Sequence, residues 1–475
     1  MNYKLRSLVA ATITGSLMLG LAQHATADST TDIVNALISK GVLTEEEGAL
    51  LTKGRDSEID TQKKKEKKFN TNKVNVRGYL QVRNTSMFGG DEGVNLYSDR
   101  SVGDDRSPGG DKNFLIRRAR VVFSGDLGER ASIYIQPDFA SSPAGTSGTG
   151  NNFAQLRDAY GDLYLTKDRV HRIRVGQSKV PYGFENLQSS QNRLALDRAD
   201  ALNSAAKDER DLGAFYYYTP VATQELFDDI MKQGLKHSGN YGMFALGAYN
   251  GQGANNRDVN DNYHVVSRFT YPWKTESGQI FEAGIQGYHG QYSPVTVEGY
   301  RKTAGAGTVT PTVDSEGRNG FKDERVGISF MMYPQPFGLQ AEWNWGKTPG
   351  LDINQGANGT IEQKSLNGGY VQAMYKIDNF KLLDTNGTLI PFIKWQYFDG
   401  YNKAESNAAQ NHVNDWEVGA EWQIAPEVEL VAYYHRMKRT NLVRGVAQTA
   451  PAGQAGTDYA TFNADALRVQ LQYNF

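Results

Sequence analysis

From Lys73 to Phe475 apolar and polar residues alternate with a period of two, and this restricts the fold more than any other feature of the chain. Such alternation makes strands with two unlike faces. Val74, Val76, Leu80 and Val82 alternate with Asn75, Arg77, Tyr79, Gln81 and Arg83. Leu339, Ala341, Trp343 and Trp345 alternate with Gln340, Glu342 and Asn344, and Leu467, Val469, Leu471, Tyr473 and Phe475 alternate with Arg468, Gln470, Gln472 and Asn474. Sixteen segments carry the pattern: 74–86, 114–125, 131–139, 154–166, 170–180, 210–219, 241–250, 262–273, 279–289, 321–333, 337–347, 365–376, 388–399, 413–424, 427–438 and 463–475. A further stretch, 228–238, lacks clean alternation and is left out.

The connections sort into two classes. Those at 87–113, 140–153, 181–209, 290–320, 348–364 and 439–462 are long, and those at 126–130, 167–169, 274–278, 334–336 and 425–426 are short. Only 220–240 and 377–387 break the rule. A soluble sandwich has no reason to alternate its loops in this way, whereas a transmembrane barrel has short periplasmic turns and long extracellular loops. An even strand count returns both ends of the sheet to one side, and strands of about 9–11 residues match a tilted bilayer span. Closure is required because an open sheet edge cannot persist in lipid. Aromatics at strand ends, among them Phe269, Tyr271, Trp273, Trp416 and Trp422, suit the membrane–water interface. The fold predicted is all-β, a sixteen-stranded antiparallel transmembrane barrel over 73–475.

Composition supports this and narrows function. Mean hydropathy is −0.56, and the only uninterrupted apolar stretch is N-terminal, so a helical membrane bundle is excluded. With 51 Lys+Arg against 53 Asp+Glu the chain lacks the basic domain of a nucleic-acid binder. The absence of cysteine removes disulfides, thiolate metal sites and cysteine nucleophiles. Residues 1–27 read as a cleaved signal peptide: Lys4 and Arg6, an apolar run from Leu8 to Ala22, then Ala25-Thr26-Ala27. Cleavage takes the formal charge from −2 to −4. Residues 28–72 read as a periplasmic appendage, helical over Asp32–Lys53 with a Thr44/Glu47 capping box and polar from Gly54, including the Lys63–Lys68 run.

Two stretches carry a resemblance. Residues 114–125 read FLIRRARVVFSG, and VGQSKVPYGFENLQSS from Val175 is followed by Asp197-Arg198 and ERDLG at 209–213. Together they resemble the phosphate-selective porin O/P family of Gram-negative bacteria, over about residues 74–475. The resemblance implies a homotrimeric outer-membrane porin whose third extracellular loop folds inward, surrounded by lipid and lipopolysaccharide. It does not imply phosphate as the solute.

Taking the apolar parity as lipid-facing places Arg77, Arg83, Arg118, Arg120, Arg172, Arg174 and Arg468 in the lumen, on one wall because the last strand closes beside the first. Glu342, Glu417, Glu421 and Glu429 fall inward on the other half, which predicts a basic wall facing an acidic one, with Asp138, Asp158 and Asp162 as acidic exceptions. Several converging guanidinium groups would suit an oxyanion. Loop 181–209 adds Arg193 and Arg198 to this anion path, together with Glu185, Asp197, Asp200, Asp208 and Glu209. Those charges either line a constriction or pair with one another to hold the loop against the wall. Arg117 falls on the apolar parity, which points to the rim or a subunit interface.

No HExxH, Walker, dinucleotide or GxSxG motif is present, and no enzyme activity or cofactor is predicted. His171, His264 and His435 lack ligand spacing, and the acidic loop 89–111 lacks EF-hand spacing. The leading reading is a passive channel for small polar solutes that favours anions such as phosphate. The alternatives are a general, weakly selective porin and a barrel that acts as a scaffold for other envelope components.

Overall fold

The structure, a computed structural model, describes residues 74–96, 113–140, 154–298, 309–314, 319–442 and 459–475. The chain divides into Met1–Thr71 and Asn72–Phe475. The expected signal peptide and N-terminal appendage lie outside the described residues.

Sixteen strands form the wall: β1 (Asn75–Gly90), β2 (Asn113–Asp126), β3 (Ala131–Asp138), β4 (Gln155–Tyr164), β5 (His171–Lys179), β6 (Arg210–Tyr218), β7 (Phe244–Tyr249), β8 (His264–Lys274), β9 (Ile280–Tyr292), β10 (Phe321–Met332), β11 (Phe337–Asp352), β12 (Thr360–Tyr375), β13 (Thr385–Tyr401), β14 (Gln410–Ala425), β15 (Val428–Leu442) and β16 (Tyr459–Asn474). Each pairs antiparallel with its neighbours in sequence, and β1 pairs with both β2 and β16, so the sheet closes. Two short additions extend this wall: Thr312–Val313 lies parallel to β12, and Ile377–Leu382 pairs with the start of β13. The second of these accounts for the intermediate length of the 377–387 connection.

The seam is set by register and by one close approach. Leu80 stands opposite Tyr473 and Val82 opposite Leu471 on the outside, while Gln81 opposite Gln472 and Arg83 opposite Gln470 bond across the inside. The backbone of Phe475 exchanges hydrogen bonds with Gly78 at 2.8 and 3.0 Å. A Cβ on Gly78 would lie 2.2 Å from the Arg120 carbonyl and 2.5 Å from the Phe475 ring, so only glycine fits there.

Outward faces are apolar along the wall, with Val175, Leu246, Val265, Val326, Ile393 and Val418 exposed. Aromatic pairs reinforce them: Trp273 stacks on Phe281 at 5.2 Å, Trp343 on Tyr397 at 6.0 Å, and Trp395 lies 6.3 Å from Trp416. The inward parity is polar but also carries Tyr217, Tyr249, Met331, Tyr333, Tyr370, Met374 and Tyr433, all buried. These pack against chain that enters the barrel, so the hydrophobic core of the molecule sits inside the sheet.

Two segments enter. The connection between β5 and β6 brings in Val180, Tyr182, Ala199 and Leu202, and the connection between β6 and β7 brings in Phe227, Ile230 and Leu235. The latter, expected as a short turn, instead holds an α-helix over Val221–Lys232. Its buried pair Phe227 and Ile230, three residues apart on one face, explains why 228–238 fits no strand pattern.

The outward face yields a direct expectation. Ile285 (53% exposed) and Ile328 (49% exposed) oppose each other across β9 and β10. Ile285→Arg puts a charge into hydrocarbon and should lower the free energy of refolding into vesicles by about 2–4 kcal/mol. Unchanged stability of this variant would contradict the outward assignment.

Candidate functional site

The β5–β6 loop crosses the lumen, and side chains from most of the wall hold it there. It begins at Gly183, whose φ of +78° turns the chain inward where a Cβ would meet Leu202 and Glu342. Phe184–Leu187 then makes one helical turn. Glu342 of β11 accepts the Phe184 and Glu185 backbone N–H at 2.6 and 2.7 Å and the Tyr370 hydroxyl at 2.8 Å. Its carboxylate thus satisfies N–H groups that the short helix leaves without partners. Lys394 of β13 binds Glu185 at 2.5 Å.

Further along, Tyr79 bonds the Ser190 hydroxyl at 2.6 Å, and Gln472 donates to the Gln191 carbonyl at 3.3 Å. Asp197 lies between Arg83 at 3.2 Å and Arg468 at 2.7 Å, at the β1–β16 seam. Asp200 reaches Arg439 of β15 at 3.0 Å, and its backbone N–H donates to Gln396 of β13 at 3.0 Å. Arg325 of β10 donates to the Ala201 and Ser204 carbonyls at 2.8 and 2.9 Å. From below, the β6–β7 segment adds Lys236, which pairs with Glu421, while Gln188 donates to the Lys236 carbonyl at 3.2 Å.

The arginines expected to form the anion path are mostly engaged with carboxylates. Arg83 and Arg468 clamp Asp197. Arg120 pairs with Asp138 at 2.7 Å and donates to the Tyr79 hydroxyl at 2.9 Å. Arg174 binds Asp162 in a two-pronged fashion at 2.8 and 2.9 Å, with Arg172 3.6 Å from the same carboxylate. Arg198 pairs with Glu209 inside the loop. Arg77 is exposed near the turn end of β1, 5.9 Å from the Tyr134 ring. Among the described residues Arg118 (6% exposed) bonds only the Gln81 amide oxygen at 2.7 Å, and Arg193 (5% exposed) has no ion pair. The Nε of each is buried without an acceptor.

On the other half, Glu342 anchors the loop, Glu421 holds Lys236, Glu417 accepts from Gln396 at 3.3 Å, and Glu429 accepts from Asn474 at 3.0 Å. The division into a basic and an acidic wall is therefore corrected. Arg268, Arg325, Lys394 and Arg439 stand among the acids, and Arg268 pairs with Glu282 at 3.0 Å. The first three lie on the inward parity of recognised strands, so strand parity was enough to find them. Arg117 is corrected too. Gln81 pairs with Arg118 and Val82 with Ile116, leaving Arg117 as the extra residue of a bulge, where its charge reaches Arg118 and Asp197.

A cavity of about 410 Å³ lies between this first wall and the two entering segments. Arg77, Arg120, Arg174, Lys179 and Arg210 line it, against the single carboxylate Asp158. The Lys179 ammonium donates to the Leu187 and Gln188 carbonyls at 3.1 and 2.8 Å, and Arg210 pairs with Asp158 at 2.9 Å.

A model of the family described as phosphate-selective porin O and P matches residues 94–475. The chain belongs to that family. The family and the closed barrel make it a porin, a channel of the outer membrane rather than an enzyme. No curated protein matches the chain. Among solved structures it is similar to Salmonella typhi OmpF in complex with daunomycin, at TM-score 0.49 and 13% identity over 85% of this chain and 98% of that one. It is also similar to an anion-selective porin from Comamonas acidovorans, at TM-score 0.46 and 11% identity over 85% of this chain and 99% of that one. A trimer form of Vibrio cholerae OmpT gives TM-score 0.44 and 9% identity over 85% of this chain and 99% of that one.

The charges on the porin's inward loop are set by their surroundings. Burial would raise the Asp197 carboxyl, but Arg83 and Arg468 hold it well below the usual 3.8. Burial opposes Glu209 in the same way, and Arg198, Arg210 and Arg157 hold it well below 4.5. Burial followed by Arg198 brings Arg193 down to about 10, and burial followed by Lys236 brings His237 down to about 4. For Asp197 and Glu209 the folded value lies below the unfolded one. Their contribution to holding the loop is therefore complete at neutral pH and is lost only as pH falls through the folded value. Asp197→Asn should therefore raise open-state noise already at neutral pH, where the clamp is fully formed in the unaltered protein. Noise no greater than that of the unaltered protein would contradict the clamp.

Proposed function

We propose that this porin is an anion-preferring diffusion channel that admits small oxyanions such as phosphate. One observation carries the reading. Arg83, Arg468, Arg117 and Arg118 all act on the single carboxylate Asp197, and Arg193 lies within electrostatic reach of Arg118. Arg83 and Arg468 take that carboxylate by direct contact. Arg118 and Arg193 are then left as buried cations with no carboxylate partner among the described residues. A buried unpaired charge is unfavourable, and a permeating anion relieves it. Attraction of this kind is stronger in a narrow, low-dielectric passage than in bulk water. Arg77 and Lys179 extend the positive lining into the cavity below.

The proposal includes secretion through cleavage of residues 1–27, a periplasmic position for residues 28–72 and a place among outer-membrane lipid and lipopolysaccharide, with assembly as the homotrimer that the family resemblance implies. Cross-linking of purified protein with and without residues 28–72 separates trimer formation from a scaffold role.

Selectivity is read in a planar bilayer from the zero-current potential under a KCl gradient. Chloride should be favoured over potassium, and Arg118→Gln combined with Arg193→Gln should lower that preference several-fold while single-channel steps persist. A potential of the opposite sign in the unaltered protein, with no block by phosphate, would leave a general porin instead.

A further inference from the structure

We propose that the cavity between the first wall and the entering segments binds a polyhydroxylated organic phosphate, of the size and chemistry of a hexose monophosphate. This rests on the reading of the lumen as an anion path and names the class of anion it is built to hold. Size is the first argument. At about 410 Å³ the cavity falls in the range of small-molecule sites, whereas a bare tetrahedral oxyanion displaces only two or three waters, roughly 60–90 Å³. An inorganic ion alone leaves most of it to solvent.

Charge places the phosphate. Arg120, Arg174 and Arg210 line the cavity but are each paired with an aspartate. Lys179 bonds only neutral carbonyls, and Arg77 makes no ion pair among the described residues, so these two carry the positive charge that remains unmatched. A dianionic group is matched by those two cations.

The rest of the lining is matched to hydroxyl groups. The hydroxyls of Tyr134, Tyr160 and Tyr241 make no hydrogen bond among the described residues, and Gln136, also in the lining, has none through its amide. Asp158 gives one oxygen to Arg210 and keeps the other open. Donors and acceptors without partners, gathered in one cavity, suit a molecule with several hydroxyls. Aromatic and lipid anions fit less well. Tyr160 already has the Arg174 guanidinium 3.7 Å from its centroid and Tyr134 stacked at 5.1 Å, so its faces are occupied. Leu187 and Met231 are the only aliphatic side chains in the lining.

The test uses the full-length protein in a planar bilayer, titrated separately with glucose 6-phosphate, orthophosphate and glucose. Glucose 6-phosphate should half-block the current at a concentration about tenfold or more below that of orthophosphate, the gain expected from one or two net hydrogen bonds, and glucose should not block. Tyr160→Phe, or Tyr241→Phe should the first variant fail to fold, should move the ratio of the two half-blocking concentrations towards one. Arg77→Gln should weaken block by both anions. If both anions block but glucose 6-phosphate blocks no better than orthophosphate, the inference is overturned and the anion path stands. If neither blocks, both fall.

Discussion

The structure depends on one constraint: a strand edge facing hydrocarbon has nothing to bond with, so the sheet must close on itself. Closure at the β1–β16 seam, with Phe475 bonded to Gly78, gives every strand two neighbours. It also divides each strand's residues into a lipid set and a lumen set, and the lumen set becomes an interior that other chain can fill. The tyrosines, methionines and charged groups of that set are otherwise hard to reconcile with a plain aqueous tube.

The loop from Gly183 to Glu209 fills part of that interior through ion pairs to β1, β4, β13, β15 and β16 and hydrogen bonds to β10 and β11. Buried ion pairs contribute little net stability, because the cost of removing both charges from water offsets most of the attraction. Their effect here is positional. Asp197 at the seam, Asp200 at β15 and Glu185 at β13 fix the loop at three separated points, while Glu342 fixes the orientation of its first turn. A loop held in this way leaves a defined surplus of positive charge. Each acid on it consumes specific cations, and Arg118 and Arg193 are among those that remain.

The wall was legible in the sequence because both of its determinants are local. The period-two alternation and the two classes of connection need no long-range information, and the inward parity of Arg83, Arg120, Arg174 and Arg468 follows from them. Pairing was not legible, since nothing near Asp197 in sequence marks Arg83 or Arg468 as its partners. Arg117 was misplaced because a one-residue bulge reverses parity without altering composition. The helix at Val221–Lys232 stands where loop alternation calls for a short turn, although the spacing of Phe227 and Ile230 is helical. Lys179, which lines the cavity, lay at the end of a recognised strand and carried no signal beyond its charge.

The central claim is that the loop spans the lumen and is tied to the wall opposite its origin. The chain has no cysteine, so a pair introduced at Glu185→Cys and Lys394→Cys can be probed without background. These two side chains are in contact, one on the loop and the other on β13. A short bifunctional thiol reagent applied to the folded double variant should join them within one chain and leave the channel conducting. Two independently labelled cysteines with no intramolecular link would mean that the loop does not cross, and the account of the lumen charges would fail with it.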